Sequence, residues 1–145
     1  MRFWDASAIV PLIVAQGRTE AVRKALDDDR VLIVWWATRI ECASSLARLE
    51  REDPARRSGL MESSRRLSAL ATGWREVEPS DVVRETALRL LRTHPLRSAD
   101  ALHLAAAIVA ADGHPGTLAF VTLDDRLALA AEKEGFPVLM PAAPG

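Results

Sequence analysis

The 145-residue chain has one cysteine and neither tyrosine nor asparagine. A single cysteine excludes an internal disulfide framework and a zinc site built on cysteines. The longest apolar runs, 6–15 and 104–111, are too short for a membrane helix, which needs about 20 residues. The N-terminus has no signal-peptide pattern, so we expect a cytoplasmic protein with no membrane contact.

The chain also lacks an excess of charge of either sign, with 19 basic and 20 acidic residues. Any contact with nucleic acid must therefore come from a local basic patch. Apolar residues make up 49% of the chain and charged residues 27%, which excludes disorder. The length suits one domain, and no repeat or linker divides it, so we expect a single domain over residues 1–145.

Short apolar segments alternate with amphipathic ones along the chain. The apolar segments predict strands at 2–5, 31–35, 74–77, 118–122 and 138–140. The amphipathic segments predict helices at 7–15, 19–28, 38–52, 55–71, 80–92, 98–111 and 124–134. This alternation predicts an α/β protein with a parallel sheet and helices on both sides.

Four acidic residues fall where such a fold concentrates its ligands. Asp5 ends the first predicted strand and Asp124 follows the fourth, and ligands of open α/β sheets bind beyond the C-terminal strand ends. Glu41 and Asp100 lie near the starts of two predicted helices. The helix of Asp100 is apolar nearly all round, so a carboxylate there needs a cation or a hydrogen-bond donor beside it.

The same acids also have a structural interpretation as helix caps. Thr38-x-x-Glu41 and Thr122-x-x-Asp125 match the capping-box pattern, and Ser98 stands where a capping residue is expected. The two interpretations are compatible, because a helix N-terminus favours the ionised carboxylate that binds metal. Converging carboxylates need cations, and oxygen ligands favour Mg²⁺ or Mn²⁺.

Four segments carry a recognisable order and spacing: Asp-Ala-Ser-Ala at 5–8, Thr-x-x-Glu-Cys-Ala-Ser-Ser-Leu at 38–46, Leu-Arg-Ser-Ala-Asp-Ala-Leu-His-Leu-Ala at 96–105 and Val-Thr-Leu-Asp at 121–124. Together they resemble PIN-domain ribonucleases, and most closely the VapC toxins of type II toxin–antitoxin systems. The resemblance implies a three-layer α/β/α fold around a parallel sheet of about four to five strands. It also implies an endoribonuclease that depends on Mg²⁺ or Mn²⁺, with the metal held by Asp5, Glu41, Asp100 and Asp124.

The resemblance further implies polar neighbours for this site. Ser7 and Thr122 match polar positions that line it, and Asp125 is an alternative fourth acid beside Asp124. His103 shares a helix face with Asp100, so it can orient that acid, contact phosphate or make a structural hydrogen bond. Members of the family act on RNA, commonly pair with an antitoxin protein and form homodimers, and the same is expected here.

Some alternatives stay open at this stage. One is a non-catalytic PIN-like module that binds protein or nucleic acid and uses the acids as caps; another is DNA as the substrate. A haloacid dehalogenase-type phosphatase needs a second aspartate two residues after the first. This chain has Ser7 at that position, so this class of enzyme is disfavoured.

The 48–75 segment has seven arginines and four acidic residues, which predicts a solvated surface or an RNA-facing patch. Trp35 and Trp36 suit either core packing or stacking on a base.

Overall fold

The computed structural model of the chain describes residues 1–142, in which five strands alternate with seven α-helices. The strands are β1 (Arg2–Trp4), β2 (Leu32–Trp35), β3 (Arg75–Val77), β4 (Ala119–Val121) and β5 (Val138–Leu139). The helices are α1 (Ala6–Ile13), α2 (Thr19–Asp28), α3 (Thr38–Glu52), α4 (Arg57–Gly73), α5 (Asp81–Thr93), α6 (Ser98–Ala110) and α7 (Asp125–Lys133). Every predicted element is present, with ends displaced by no more than two residues. The end of the expected domain, 143–145, lies outside the described residues.

All five strands are parallel and form one sheet in the order β3-β2-β1-β4-β5. The predicted parallel sheet is therefore confirmed. The strands β1 and β4 are neighbours, with Trp4 in register with Val121. Because both strands run the same way, the residues that follow them, Asp5 and Thr122, emerge at the same edge of the sheet.

Helices cover both faces of the sheet and make the fold a three-layer α/β/α sandwich. Alternate strand residues point to opposite faces: Phe3 and Phe120 pack with α5, α6 and α7, whereas Trp4 and Val121 pack with α1 to α4. Phe3 and Trp4 are both fully buried, and each such side chain contributes about 1.5–3 kcal/mol through burial. Burial on both faces explains why β2 is apolar along its whole length.

Helix α6 has six buried residues, more than any other helix of residues 1–142, as its nearly uniform apolar sequence predicts. Ala101, Leu104 and Ala105 have no exposed surface. The helix ends where Asp112 and Gly113 adopt positive φ angles of 51° and 72°, and the Gly113 N–H closes the end by bonding the Ile108 carbonyl. Within residues 1–142, no helix is both long and apolar enough to span a bilayer.

Candidate acidic site

The four predicted acids come from four separate segments of the chain. Asp5 directly follows β1, and Asp124 follows β4 as the residue that precedes α7. Glu41 and Asp100 lie in the first turns of α3 and α6. The hydrogen bonds of each acid and the direction of its pKa shift show which of the four carboxylates interact.

Asp5 is the most buried of the four, with only 4% of its surface exposed. It caps the N-terminus of α1: its carboxylate accepts hydrogen bonds from the Ser7 backbone N–H at 3.2 Å and the Ser7 hydroxyl at 2.9 Å. Burial raises the pKa of Asp5, and this effect outweighs the nearby charge of His103 and the bonds from Ser7, which act in the opposite direction. The folded chain therefore holds this carboxylate at an electrostatic cost.

Ser7 and Thr122 join the ends of β1 and β4 beside Asp5. The Ser7 hydroxyl accepts a hydrogen bond from the Leu123 N–H at 2.9 Å and lies 3.3 Å from the Thr122 hydroxyl. Thr122 in turn accepts from the Asp124 N–H at 3.0 Å. The two polar positions thus connect Asp5 to Asp124 through an unbroken chain of hydrogen bonds.

Asp124 is the capping residue of α7. Its Oδ1 accepts from the backbone N–H groups of Arg126 at 2.9 Å and Leu127 at 3.0 Å, while Oδ2 has no hydrogen-bond partner within residues 1–142. The predicted capping box of Thr122 and Asp125 is wrong, because the helix begins two residues later than that pattern requires. Asp125 occupies the first helical position and is exposed.

Glu41 does not form the predicted capping box with Thr38. Helix α3 is preceded by Ala37, which has no side-chain cap, and the buried Thr38 hydroxyl has no partner in the described chain. The Glu41 carboxylate instead bonds the imidazole of His103, with 2.9 Å between Oε2 and Nε2. Glu41 therefore faces α6 rather than the N-terminus of its own helix.

His103 is a buried residue whose hydrogen bond reaches Glu41 and not Asp100, although Asp100 is on its own helix. Only 2% of the His103 side chain is exposed. Burial works to lower the pKa of His103, but the hydrogen bond to Glu41 and the charges of Asp5, Glu41 and Asp100 together raise it. The structural hydrogen bond expected for His103 is present, with a partner from the opposite helical layer.

Asp100 faces an open cleft of about 540 Å³. Burial and then the charge of Asp124 raise the pKa of Asp100, and Glu41 adds to the shift. The expected Ser98 cap is wrong: Arg97 precedes α6 and no side chain caps the helix. The cleft is lined by Arg97, Ala99, Asp100, Asp124, Asp125 and Arg126.

Arg97 and Arg126 were not predicted as site residues. Neither guanidinium forms an ion pair with any of residues 1–142. The signal available in the sequence was their closeness to Asp100 and Asp124, three and two positions away. Basic groups at the rim of an acidic cleft are suited to bind a phosphate that approaches the acids.

The carboxylates suit a hard cation by their chemistry. In the described chain no lysine or arginine forms an ion pair with Asp5, Glu41, Asp100 or Asp124, and Asp100 accepts no side-chain hydrogen bond. As the side chains stand, no three histidine, cysteine, aspartate or glutamate residues among 1–142 are placed to hold one metal ion. Carboxylates without a cation between them repel one another, and a hard cation would relieve that repulsion.

The remaining candidates have structural roles or lie at the surface. Trp35 packs in the core, whereas 45% of Trp36 is exposed. All seven arginines of the 48–75 segment are exposed, which fits both a solvated surface and an RNA-facing patch. Cys42 is buried beneath the site, and burial, followed by the charges of Glu41 and Asp5, raises the pKa of its thiol to about 12.

Comparison with known proteins identifies similar chains. The family model described as "PIN domain" matches residues 2–133. Two curated Mycobacterium tuberculosis proteins, Ribonuclease VapC45 of strain CDC 1551 / Oshkosh and Ribonuclease VapC49 of strain ATCC 25618 / H37Rv, are each 31% identical over 133 residues. Each match covers 92% of this chain and 90% of the relative.

Solved structures share the architecture at lower sequence identity. A chain of a toxin–antitoxin complex from Klebsiella pneumoniae superposes with a TM-score of 0.69 at 16% identity, covering 99% of this chain and all of that one. PAE2754 from Pyrobaculum aerophilum superposes with a TM-score of 0.67 at 20% identity, covering 96% of this chain and 82% of its own. These similarities establish the fold.

Proposed function

The chain belongs to the PIN domain family, and on that premise we propose that it is a divalent-metal-dependent endoribonuclease and the toxin of a toxin–antitoxin pair. The names of its curated relatives, which match nearly their whole length, support ribonuclease activity. The observation that carries the proposal is the electrostatic state of the acids. Burial raises the pKa of Asp5, and burial together with the charges of Asp124 and Glu41 raises the pKa of Asp100. No lysine or arginine of residues 1–142 forms an ion pair with either acid.

Asp5, Glu41, Asp100 and Asp124 would hold Mg²⁺ or Mn²⁺. When bound, the ion supplies activation of a water molecule and neutralisation of the charge that develops on a phosphodiester. Oxygen ligands alone select such hard cations. Asp124, rather than Asp125, is the preferred fourth ligand, because Asp124 keeps Oδ2 available while its Oδ1 is fixed by α7.

The other residues of the site position these acids and the substrate. Ser7 holds Asp5 through two hydrogen bonds. Asp100 faces the cleft, and its carboxylate would accept a proton from the attacking water. Arg97 and Arg126 line the same cleft and would bind the RNA backbone. Hydrolysis would leave a 5′-phosphate and a 3′-hydroxyl.

The proposal includes an antitoxin protein as partner, a homodimeric toxin and a cytoplasmic site of action. A free nuclease of this kind would damage cellular RNA, so a restraining partner is expected.

The alternative function is a non-catalytic PIN-like module that binds protein or nucleic acid. One observation favours this alternative, since Asp5 and Asp124 both serve as helix caps and would be retained for that role alone.

Cleavage assays with purified chain, freed of any co-purified protein, separate the two functions. Total RNA and DNA are incubated with Mg²⁺, Mn²⁺ or EDTA, and the ends of the products are mapped. We expect RNA cleavage with either ion and none with EDTA. Asp5→Asn should reduce cleavage by on the order of 100-fold or more, because an anionic ligand is lost with little change of shape.

The matched control is Asp112→Asn. Asp112 is exposed at the far end of α6 from Asp100, and asparagine tolerates its positive φ well. This variant should cleave RNA at the wild-type rate. Wild-type cleavage by Asp5→Asn would show that the acid is not catalytic, and a metal-loaded chain that cleaves neither nucleic acid would favour the non-catalytic module.

A further inference from the structure

His103 joins the two helical layers at the acidic site. It lies on α6, on one side of the sheet, and Glu41 lies on α3, on the other. Their side chains meet at 2.9 Å across 62 positions of sequence. A carboxylate accepts hydrogen bonds, so the imidazole donates through its Nε2–H.

A role as core filler does not explain His103. Its neighbours on α6, Ala101 and Leu104, are fully buried and apolar. The imidazole Nδ1 is buried and has no hydrogen-bond partner within residues 1–142. Leucine or methionine would fill this space without burying an unsatisfied polar atom. The contact that distinguishes histidine from these residues is the one it makes with Glu41.

A single hydrogen bond holds the Glu41 carboxylate, whereas Asp5 and Asp124 each accept two. Asp5 receives two bonds from Ser7, and Asp124 receives two from the backbone of α7. Within the described chain, His103 is the sole hydrogen-bond partner of the Glu41 carboxylate. A glutamate side chain has three rotatable bonds, so without this anchor Glu41 would sample several rotamers.

We propose that His103 is a positioning residue that holds Glu41 through Oε2 and so directs Oε1 toward the divalent cation. This inference rests on the proposed function, because it concerns the same site. Hydrogen-bonded partners of metal ligands fix the orientation of those ligands, and their loss typically weakens metal binding by about 10–100-fold. His103 would therefore govern metal affinity without contacting metal or RNA.

A matched pair of substitutions tests the role in the full chain. His103→Gln places an amide N–H where the imidazole Nε2–H lies, whereas His103→Leu fills the space and removes the donor. Mn²⁺ alone is titrated, and unbound Mn²⁺ is followed by electron paramagnetic resonance. We expect the Kd for Mn²⁺ to rise about 10–100-fold in the leucine variant and the glutamine variant to restore most of the affinity.

A thermodynamic cycle distinguishes positioning from a general structural role. The Kd for Mn²⁺ is compared among the wild type, Glu41→Ala, His103→Leu and the double variant. If His103 acts through Glu41, the double variant binds Mn²⁺ as Glu41→Ala does, because independent effects would add. Melting temperatures in EDTA show whether each variant is folded, and His103→Met serves as a second apolar variant if the leucine variant does not fold.

The outcomes separate this inference from the proposed function. A wild-type chain that does not bind Mn²⁺ overturns both. A wild type that binds Mn²⁺, together with equal Kd values for the leucine and glutamine variants, overturns the role of His103 and leaves the nuclease proposal standing. Additive losses in the cycle also overturn it, because His103 would then affect the metal by a route other than Glu41.

Discussion

The hydroxyl of Ser7 lies 3.3 Å from the hydroxyl of Thr122, although 115 positions separate the two residues. Ser7 donates to Asp5 and accepts from the Leu123 N–H, each at 2.9 Å. A serine hydroxyl has one proton and two lone pairs, so all of its hydrogen-bonding capacity is used. One small side chain thus fixes the ends of β1 and β4 relative to each other and to the most buried acid of the site.

Ser7→Ala should destabilise the fold as well as the site. The substitution leaves the Leu123 N–H without its acceptor and removes a donor from Asp5, so we expect the free energy of unfolding to fall by about 1–3 kcal/mol. Urea denaturation of the metal-free chain measures this loss. Ser44→Ala, on the exposed surface of α3, is the control and should change stability by less than about 0.5 kcal/mol. Equal stabilities of the two variants would contradict the structural role of Ser7.

The neighbouring acids Asp124 and Asp125 are expected to differ sharply in metal binding. Asparagine caps a helix about as well as aspartate, so Asp124→Asn keeps the start of α7 but removes the charge of its available oxygen. Its affinity for Mn²⁺ should fall by on the order of 10-fold or more. Asp125→Asn changes an exposed residue of the first helical turn and should bind Mn²⁺ nearly as the wild type does. Calorimetric titration that gives the reverse order would assign Asp125 as the fourth ligand.

Hydrophobic patterning was sufficient to predict the architecture. Ile33 and Val34 pack on opposite faces of the sheet, so β2 is apolar throughout and can be located without knowledge of its partners. Proline and glycine mark most of the helix ends. The sequence placed Asp5 and Asp124 at the ends of two strands of a parallel sheet, but it did not determine that these strands are neighbours. The pairing of β1 with β4 shows that they are.

The capping pattern predicted the roles of the acids less well, because a cap can be assigned only when the first residue of the helix is known. Thr122, Asp124 and Asp125 all have side chains that can cap a helix, and a shift of one or two positions decides which of them does so. The chain enters α7 with Asp124 in an extended conformation, which frees Asp125 from that role. Similarly, Glu41 matches a capping box, but the bond to His103 takes its carboxylate away from the helix end.

The partner of His103 could not be predicted from local sequence. Helical spacing places His103 beside Asp100, but Glu41, which belongs to another helix, is the residue within hydrogen-bond distance. Such a contact depends on how α3 and α6 pack against opposite faces of the sheet. Periodicity identifies the buried face of each helix but does not determine which polar atoms meet between layers.

The Cys42 thiol should be unreactive in the folded protein. Burial and the adjacent acids raise its pKa to about 12, so at pH 8 the thiolate fraction is on the order of 10⁻⁴. We expect Ellman's reagent to label no thiol in native protein and one thiol per chain in concentrated urea, since Cys42 is the single cysteine. Rapid stoichiometric labelling of the native chain at pH 8 would contradict the burial of this residue.

Glu134 should make a pH-dependent contribution to stability through its contacts with α5. Its carboxylate accepts a hydrogen bond from Arg89 at 2.7 Å and lies 2.8 Å from Nε2 of the buried His94. Partial burial acts to raise the pKa of Glu134, but the bonds from Arg89 and His94 outweigh it and lower the pKa below its ordinary value. A carboxyl group whose pKa is lowered by folding stabilises the folded state above its unfolded pKa, and this stabilisation is lost as the pH falls through the folded value.

The substitution Glu134→Gln should therefore destabilise the chain by about 1 kcal/mol above pH 5, and the difference from wild type should shrink as the pH falls below about 4.3, the usual value for glutamate. Urea denaturation between pH 3 and pH 7 measures both curves. Glu62→Gln is the matched control, because the Glu62–Arg65 pair on α4 is more than half exposed and exposed pairs contribute little. A stability difference for Glu134→Gln that does not change with pH would mean that its carboxylate charge does not stabilise the junction of α5 and α7.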